Sequence, residues 1–215
     1  MSRPDLHDVL AAAPVVPLVQ SDDPDAAIDV SRALLDGGLT VLEVVLRTDR
    51  AFDCLRAIVK AFPDTHVGAG TVLTPDDLHR AVDCGASFIV CPGLVPEVVA
   101  AAQKAGVPIL PGVATASEAQ QAWNMGLKTV KFFPASLAGG PKMLGALSSV
   151  YREMRFMPTG GVNAKTLPDY LAVPSVIACG GSWLTPKDAV AEGDYVRITT
   201  IASDALGIAK AARPG

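Results

Sequence analysis

Short β-like runs alternate with helical segments along the whole chain, at a spacing that suits a repeating strand–helix fold. Apolar or β-branched runs occupy Val15–Val19, Thr40–Leu46, His66–Gly70, Ser87–Cys91, Val107–Leu110, Thr129–Phe133, Arg155–Pro158 and Ser175–Ala178. Between them, Pro24–Leu35, Ala51–Ala61, Pro75–Asp83, Val95–Ala105 and Ser117–Met125 carry apolar residues at helical spacing. Pro24, Pro75 and Pro96 stand near helix starts, where a fixed φ suits the first turn and the missing N–H is not needed. Gly38, Pro63, Gly85, Gly106 and Gly126 stand where helices end, 20 to 25 residues apart. There glycine supplies left-handed backbone and proline a stop, so each interval is one βα unit. Such alternation folds into a closed parallel barrel or an open doubly wound sheet. Eight units in 215 residues favour the α/β class as a (β/α)8 TIM barrel with trimmed loops, since such barrels usually take about 250 residues. Asp5–Ala13 reads as a helix that plugs the barrel bottom. Tyr195–Ala212 reads as a helix that either closes the barrel or packs outside it.

No linker, low-complexity tract or shift of composition interrupts this rhythm, so residues 1–215 read as a single barrel domain. Half the residues are apolar, enough for a large core, and the formal charge of −4 argues against a general nucleic-acid or membrane-surface partner. A local basic pocket for an anionic metabolite is compatible with that charge. No apolar run approaches a membrane span, and Met1–Asp5 lacks the apolar core of a secretion signal. The expectation is a cytoplasmic protein with reduced thiols. Cys54, Cys84, Cys91 and Cys179 are widely spaced, and His7, His66 and His79 do not pair at ligand spacing. No metal site is expected from that pattern. Cys91 reads as a buried, inert thiol.

Charged residues inside apolar strands carry the chemistry. In Thr129-Val130-Lys131-Phe132-Phe133-Pro134, alternation puts Thr129, Lys131 and Phe133 on one side and Val130 and Phe132 on the other. In a parallel sheet covered on both faces, either side is buried. An unpaired ammonium there is costly or loses its proton, and a neutral amine in a protected pocket attacks carbonyls. Schiff-base chemistry is one reading; a lysine snorkelling from the strand end to solvent is the other. In Thr40-Val41-Leu42-Glu43-Val44-Val45-Leu46-Arg47, Glu43, Val45 and Arg47 share a side, with Arg47 nearer the mouth. They are either reactive groups or an ion pair bracing the barrel.

The third strand runs into Gly68-Ala69-Gly70-Thr71, whose glycines permit close approach and whose Thr71 offers a hydroxyl at the mouth. The last two strands run into Thr159-Gly160-Gly161 and Gly180-Gly181-Ser182. Two double-glycine turns there match the phosphate cradle of such barrels, in which bare N–H groups meet an anion. Together these groups suit a phosphorylated oxo-acid: Lys131 for the ketone, Glu43 for protons, Arg47 for a carboxylate. An isomerase or synthase with a merely electrostatic Lys131, and a silent metabolite-binding protein, are the competing classes.

Six motifs in order, Glu43-Val44-Val45-Leu46-Arg47-Thr48, Gly68-Ala69-Gly70-Thr71-Val72-Leu73, Cys91-Pro92-Gly93-Leu94, Lys131-Phe132-Phe133-Pro134-Ala135, Pro158-Thr159-Gly160-Gly161-Val162 and Gly180-Gly181-Ser182-Trp183-Leu184, resemble the bacterial 2-keto-3-deoxy-6-phosphogluconate/2-keto-4-hydroxyglutarate (KDPG/KHG) aldolases. The resemblance spans about Pro14 to Ala205. It implies a class I aldolase without metal or cofactor, usually a homotrimer, acting on a small phosphorylated keto acid. By position it implies Lys131 as the Schiff-base lysine, Glu43 as general acid/base, and Arg47 and Thr71 on the pyruvate carboxylate. Pro92 and Phe133 would wall the reacting carbons, with Thr159 close by, and Gly160, Gly161 and Ser182 would hold the phosphate. Cys91 stands where a serine is commoner, and Ala135–Pro141 departs from the usual acidic stretch.

Overall fold

The computed structural model describes residues 6–213. Met1–Asp5, on which the absence of a signal core and the first residue of the plug helix rest, lie outside the described residues. Nine strands occupy β1 Val15–Val19, β2 Val41–Val45, β3 His66–Gly70, β4 Phe88–Val90, β5 Ile109–Leu110, β6 Gly112–Val113, β7 Thr129–Phe132, β8 Arg155–Pro158 and β9 Cys179–Gly181 among the described residues. The helices are α1 Leu6–Ala12, α2 Pro24–Asp36, α3 Ala51–Ala61, α4 Pro75–Asp83, α5 Pro96–Ala105, α6 Ala116–Asn124, α7 Gly140–Val150, α8 Leu167–Leu171, α9 Lys187–Glu192 and α10 Tyr195–Ala212. The predicted helix starts hold: Pro24, Pro75 and Pro96 each open a helix, and the Asp23 and Thr74 side chains accept from Asp25 N–H and Asp77 N–H as caps. Gly106 ends α5 in the left-handed conformation, at φ 65°.

All ladders are parallel. One sheet runs β5-β4-β3-β2-β1-β9 and a second β6-β7-β8. The two meet at Pro111, which separates β5 from β6 because it has no N–H to give; its carbonyl still accepts from Lys131 N–H at 2.9 Å. At the other margin, Phe156 bridges Val176 and Thr159 bridges Gly180. The result is a parallel sheet curled into at least a half-barrel, with helices on its convex face.

The predicted fifth strand, Val107–Leu110, is therefore shorter and continues past Pro111, since Pro108 and Pro111 both interrupt the donor pattern. The predicted eighth strand is also misplaced. Ser175–Ala178 touches β8 only through the isolated Phe156–Val176 bridge, and the ladder with β1 begins at Cys179. The second double glycine thus lies inside a strand rather than in a turn after it: Gly180 pairs Val16 and Gly181 pairs Pro17.

Strand alternation divides the core in two. Leu42, Val44, Val67, Ala69, Val130, Phe132 and Phe156 face the helices in the larger cluster. Val16, Val41, Phe88, Val90, Leu110 and Met157 face inward, and Leu6 and Leu10 of α1 pack onto them. α1 so plugs the end at which the strands begin, as expected. α10 lies outside, against α2 and α8, which decides between the two placements open for it.

Candidate functional site

Lys131 and Glu43 enter the concave side from strands far apart in the chain. Register pairs Glu43 with Gly68 and Lys131 with Gly112, so each charged side chain has a glycine beside it on the next strand. Lys131 is 2% exposed and Glu43 0%. Lys131 Nζ lies 3.4 Å from Glu43 Oε1, which rules out the snorkelling alternative. That distance is long for a charge-assisted bond, usually about 2.7–2.9 Å. The other carboxylate oxygen, Glu43 Oε2, is buried without a hydrogen-bond partner among the described residues. A buried ion pair with loose geometry and an unsatisfied oxygen is poor as a brace, because desolvation of both charges is incompletely offset.

Glycines make the room. A Cβ on Gly70 would meet Glu43 Oε1 and lie 2.8 Å from its Cδ and Cγ, and one on Gly68 would lie 2.6 Å from the Phe88 ring at Cδ2. The Gly-Ala-Gly of β3, read from sequence as permitting close approach, thus clears space for a reactive carboxylate and a core aromatic. A Cβ on Gly112 would strike the Pro92 carbonyl oxygen, and Gly112 N–H donates to Gly93 O at 3.2 Å. This tight packing sets half-buried Pro92 against the strand next to Lys131. Sequence reasoning missed Gly112, because a single glycine between Pro111 and Val113 reads as a loop.

The Phe133 ring centroid is 5.3 Å from Lys131 Nζ, and the Phe133–Pro134 peptide is cis. Thr71 is the only non-glycine residue with positive φ among the described residues, at 62°. That conformation is rare for a β-branched side chain and is held where surrounding structure demands it. Here its hydroxyl accepts from exposed Arg47 Nε at 3.0 Å. The expected neighbours Arg47 and Thr71 are together, at the open end above Glu43.

Gly160 and Gly161, at φ 95° and 80°, form the predicted turn after β8. Among the described residues, no acceptor takes the N–H of Gly161 or Val162. The Gly160 carbonyl accepts from Ser136 N–H at 3.0 Å, and a Cβ on Gly161 would meet Ser136 Oγ. The Thr159–Gly180 bridge brings this turn beside exposed Ser182. Thr159 is buried, its Oγ1 has no partner among the described residues, and a Cβ on Gly180 would lie 2.5 Å from it. Gly180 therefore admits the threonine hydroxyl, which explains glycine in a strand. Cys91 lies close enough to feel both charges of the pair. Burial pushes its thiol up to about 12, with Lys131 opposing and Glu43 reinforcing the shift, so it is a neutral part of the wall.

A cleft of about 360 Å³ opens from this end, lined by Leu18, Val45, Arg47, Ser182, Lys187 and Val190 among others. Gln20 and Lys187 were not singled out from sequence; both sit in loops or at a helix start, where polar residues are ordinary. Among the described residues no three His, Cys, Asp or Glu side chains come together as a metal-binding group, and no helix is long and apolar enough to cross a membrane.

Comparison with known proteins adds to this geometry. The family model for KDPG and KHG aldolase matches residues 6–201. The KHG/KDPG aldolase of Escherichia coli (strain K12) is 45% identical over 204 residues, 95% of this chain and 96% of that protein. The crystal structure of KDPG aldolase from Legionella pneumophila, with pyruvate captured at low pH as a covalent carbinolamine intermediate, is 42% identical. It superposes with a TM-score of 0.89 over 92% of this chain and 96% of that one. The 2-keto-3-deoxy-6-phosphogluconate aldolase of Zymomonas mobilis ZM4 with 3-phosphoglycerate is 40% identical, with a TM-score of 0.87 and 94% of each chain covered.

Proposed function

This chain belongs to the KDPG and KHG aldolase family, and from that premise we propose that it is a class I aldolase. It reversibly cleaves 2-keto-3-deoxy-6-phosphogluconate to pyruvate and D-glyceraldehyde 3-phosphate, and 2-keto-4-hydroxyglutarate to pyruvate and glyoxylate. The observation that carries this reading is the enclosed Lys131–Glu43 pair, 3.4 Å apart with one carboxylate oxygen unengaged. A lysine with a proton acceptor beside it is equipped to attack a ketone.

Glu43 takes a proton from the Lys131 ammonium, and the free amine adds to C2 of the keto acid. The carbinolamine gains a proton from Glu43 on its hydroxyl and loses water, leaving a protonated imine. A base then removes the C4 hydroxyl proton, C3–C4 breaks, and its electron pair moves into the imine to give an enamine as the aldehyde departs. Protonation at C3 and hydrolysis release pyruvate and restore the amine. Arg47 and Thr71 hold the carboxylate, Pro92 and Phe133 flank the reacting carbons, and Thr159 directs its hydroxyl to the chain of the sugar acid. Gly160, Gly161 and Ser182 hold the phosphate through unclaimed N–H groups and a hydroxyl.

The same reading takes residues 1–215 as one domain, with the curled sheet closed into an eight-stranded barrel. The bridges Phe156–Val176 and Thr159–Gly180 support closure between β8 and β9, and β5 and β6 serve as one strand interrupted at Pro111. It also takes the enzyme as cytoplasmic and homotrimeric. The test is reduction with borohydride in the presence of pyruvate, followed by mass mapping. An increment on Lys131, absent from Lys131→Met, is expected together with pyruvate release from KDPG in a coupled assay. An increment spread over exposed lysines, or turnover by Lys131→Met, removes the assignment.

A further inference from the structure

We propose that Lys187 is a specificity-determining residue of this chain, a cation that selects aldehydes carrying a phosphate. This deepens the aldolase reading, and rests on it for the identity of the aldehyde.

The cleft at the mouth takes in Arg47 and Ser182, and Leu18, Val45 and Val190 give it an apolar lining. Among the described residues its two cations are Arg47 and Lys187, and no acidic residue lines it. Among the described residues neither cation has a carboxylate within ion-pairing distance. The acid next to Lys187, Asp188, is turned to α10, where Arg197 Nη1 donates to it at 2.7 Å. The positive charge of Lys187 is thus left uncompensated at the cleft.

The two cations are suited to different anions. Arg47 is already oriented by Thr71 and stands two residues beyond the strand that carries Glu43, so its planar fork serves a carboxylate near the reacting centre. Lys187 sits at the start of α9, five positions beyond Ser182, and its compact charge on a flexible stem suits a tetrahedral dianion. The segment between them is held down: the Thr185 hydroxyl donates to the Leu18 carbonyl at 2.9 Å, tying this stretch to β1. Ser182 and Lys187 therefore bring a hydroxyl and an ammonium to the lining of one cleft. That combination recognises the phosphate of a three-carbon aldehyde.

Calorimetric titration with sn-glycerol 3-phosphate, an unreactive analogue of the aldehyde, tests this on wild type, Lys187→Met and Lys187→Arg. The methionine keeps the stem and removes the charge. Its affinity should fall about 2- to 5-fold, the range for one exposed charge pair, and the arginine should recover most of the loss. In kinetics, KM for KDPG should rise several-fold more than KM for 2-keto-4-hydroxyglutarate. Equal affinities of wild type and Lys187→Met, equal KM changes on both substrates, or no glycerol 3-phosphate binding by wild type would each overturn the proposal. A failed pyruvate–borohydride trap with Lys187-dependent glycerol 3-phosphate binding intact would instead remove the aldolase reading and leave Lys187 as a phosphate anchor.

Discussion

Substituting Gly70 by alanine should disable the site through one methyl group. Gly70 lies in β3 outside the positive-φ conformations, so alanine is compatible with the backbone and the effect is steric. The new Cβ would meet Glu43 Oε1 and stand 2.8 Å from Cδ and Cγ, where ordinary contacts need about 3.5–4.0 Å. Glu43 is fully buried, and clearing the new methyl requires its carboxylate to move by about 1 Å, enough to cost roughly 10²-fold in rate. That corresponds to about 2.7 kcal/mol of barrier. Overpacking should lower stability by about 1–3 kcal/mol as well. The two effects separate if pyruvate release is followed well below the melting temperature and unfolding is measured by circular dichroism. Gly68→Ala is the control, because its Cβ meets the Phe88 ring instead of the carboxylate; it should lose comparable stability with a smaller rate loss. A Gly70→Ala enzyme with wild-type kcat would refute the claim that this glycine exists to admit Glu43.

Other consequences are less local. Gly145 in α7 and Gly207 in α10 have open space where a Cβ would stand and no left-handed φ, so each alanine should raise stability by about 0.5–1 kcal/mol in denaturant titrations. Partial burial pushes the Glu118 carboxyl up, but hydrogen bonds from Ala114 N–H and the Thr115 hydroxyl and N–H outweigh it and hold it below its ordinary 4.5. Its contribution is complete above that value and lost as pH falls through the lower folded value. The stability gap to Glu118→Gln, about 0.5 kcal/mol after allowing for exposure, should therefore shrink in acid and stay constant above pH 5 or so. Burial pushes Cys91 and Cys179 up to about 12, so neither should be alkylated by iodoacetamide in the native protein at pH 8, while both should react in denaturant. Rapid native labelling at either position, located by mass, would contradict their enclosure.

Legibility followed the range of the interaction involved. Helix starts at Pro24, Pro75 and Pro96 and the left-handed Gly106 were readable because caps and stops are decided within a turn of chain. Lys131 and Glu43 were readable singly, since a charge inside an apolar strand stands out against its neighbours. Glycine was the recurrent failure. Gly180 and Gly181 read locally as a turn, although they form the ladder with β1, because a residue without a side chain leaves no alternation to detect. Gly70, Gly112 and Gly180 are each glycine for the sake of an atom that lies 20 or more residues away in the chain, and no local pattern carries that information.

The order of residues alone determined the succession of most strands and helices and which residues share a side with each charged group, because these depend on backbone geometry repeating every two or every three to four residues. Only the tertiary structure decided that Lys131 and Glu43, 88 positions apart, face each other, that Arg47 is turned to Thr71, and that Lys187 joins Ser182 at one cleft. Those meetings are set by how parallel strands register and curl, and sheet curvature sums many weak long-range contacts that no short window of sequence contains.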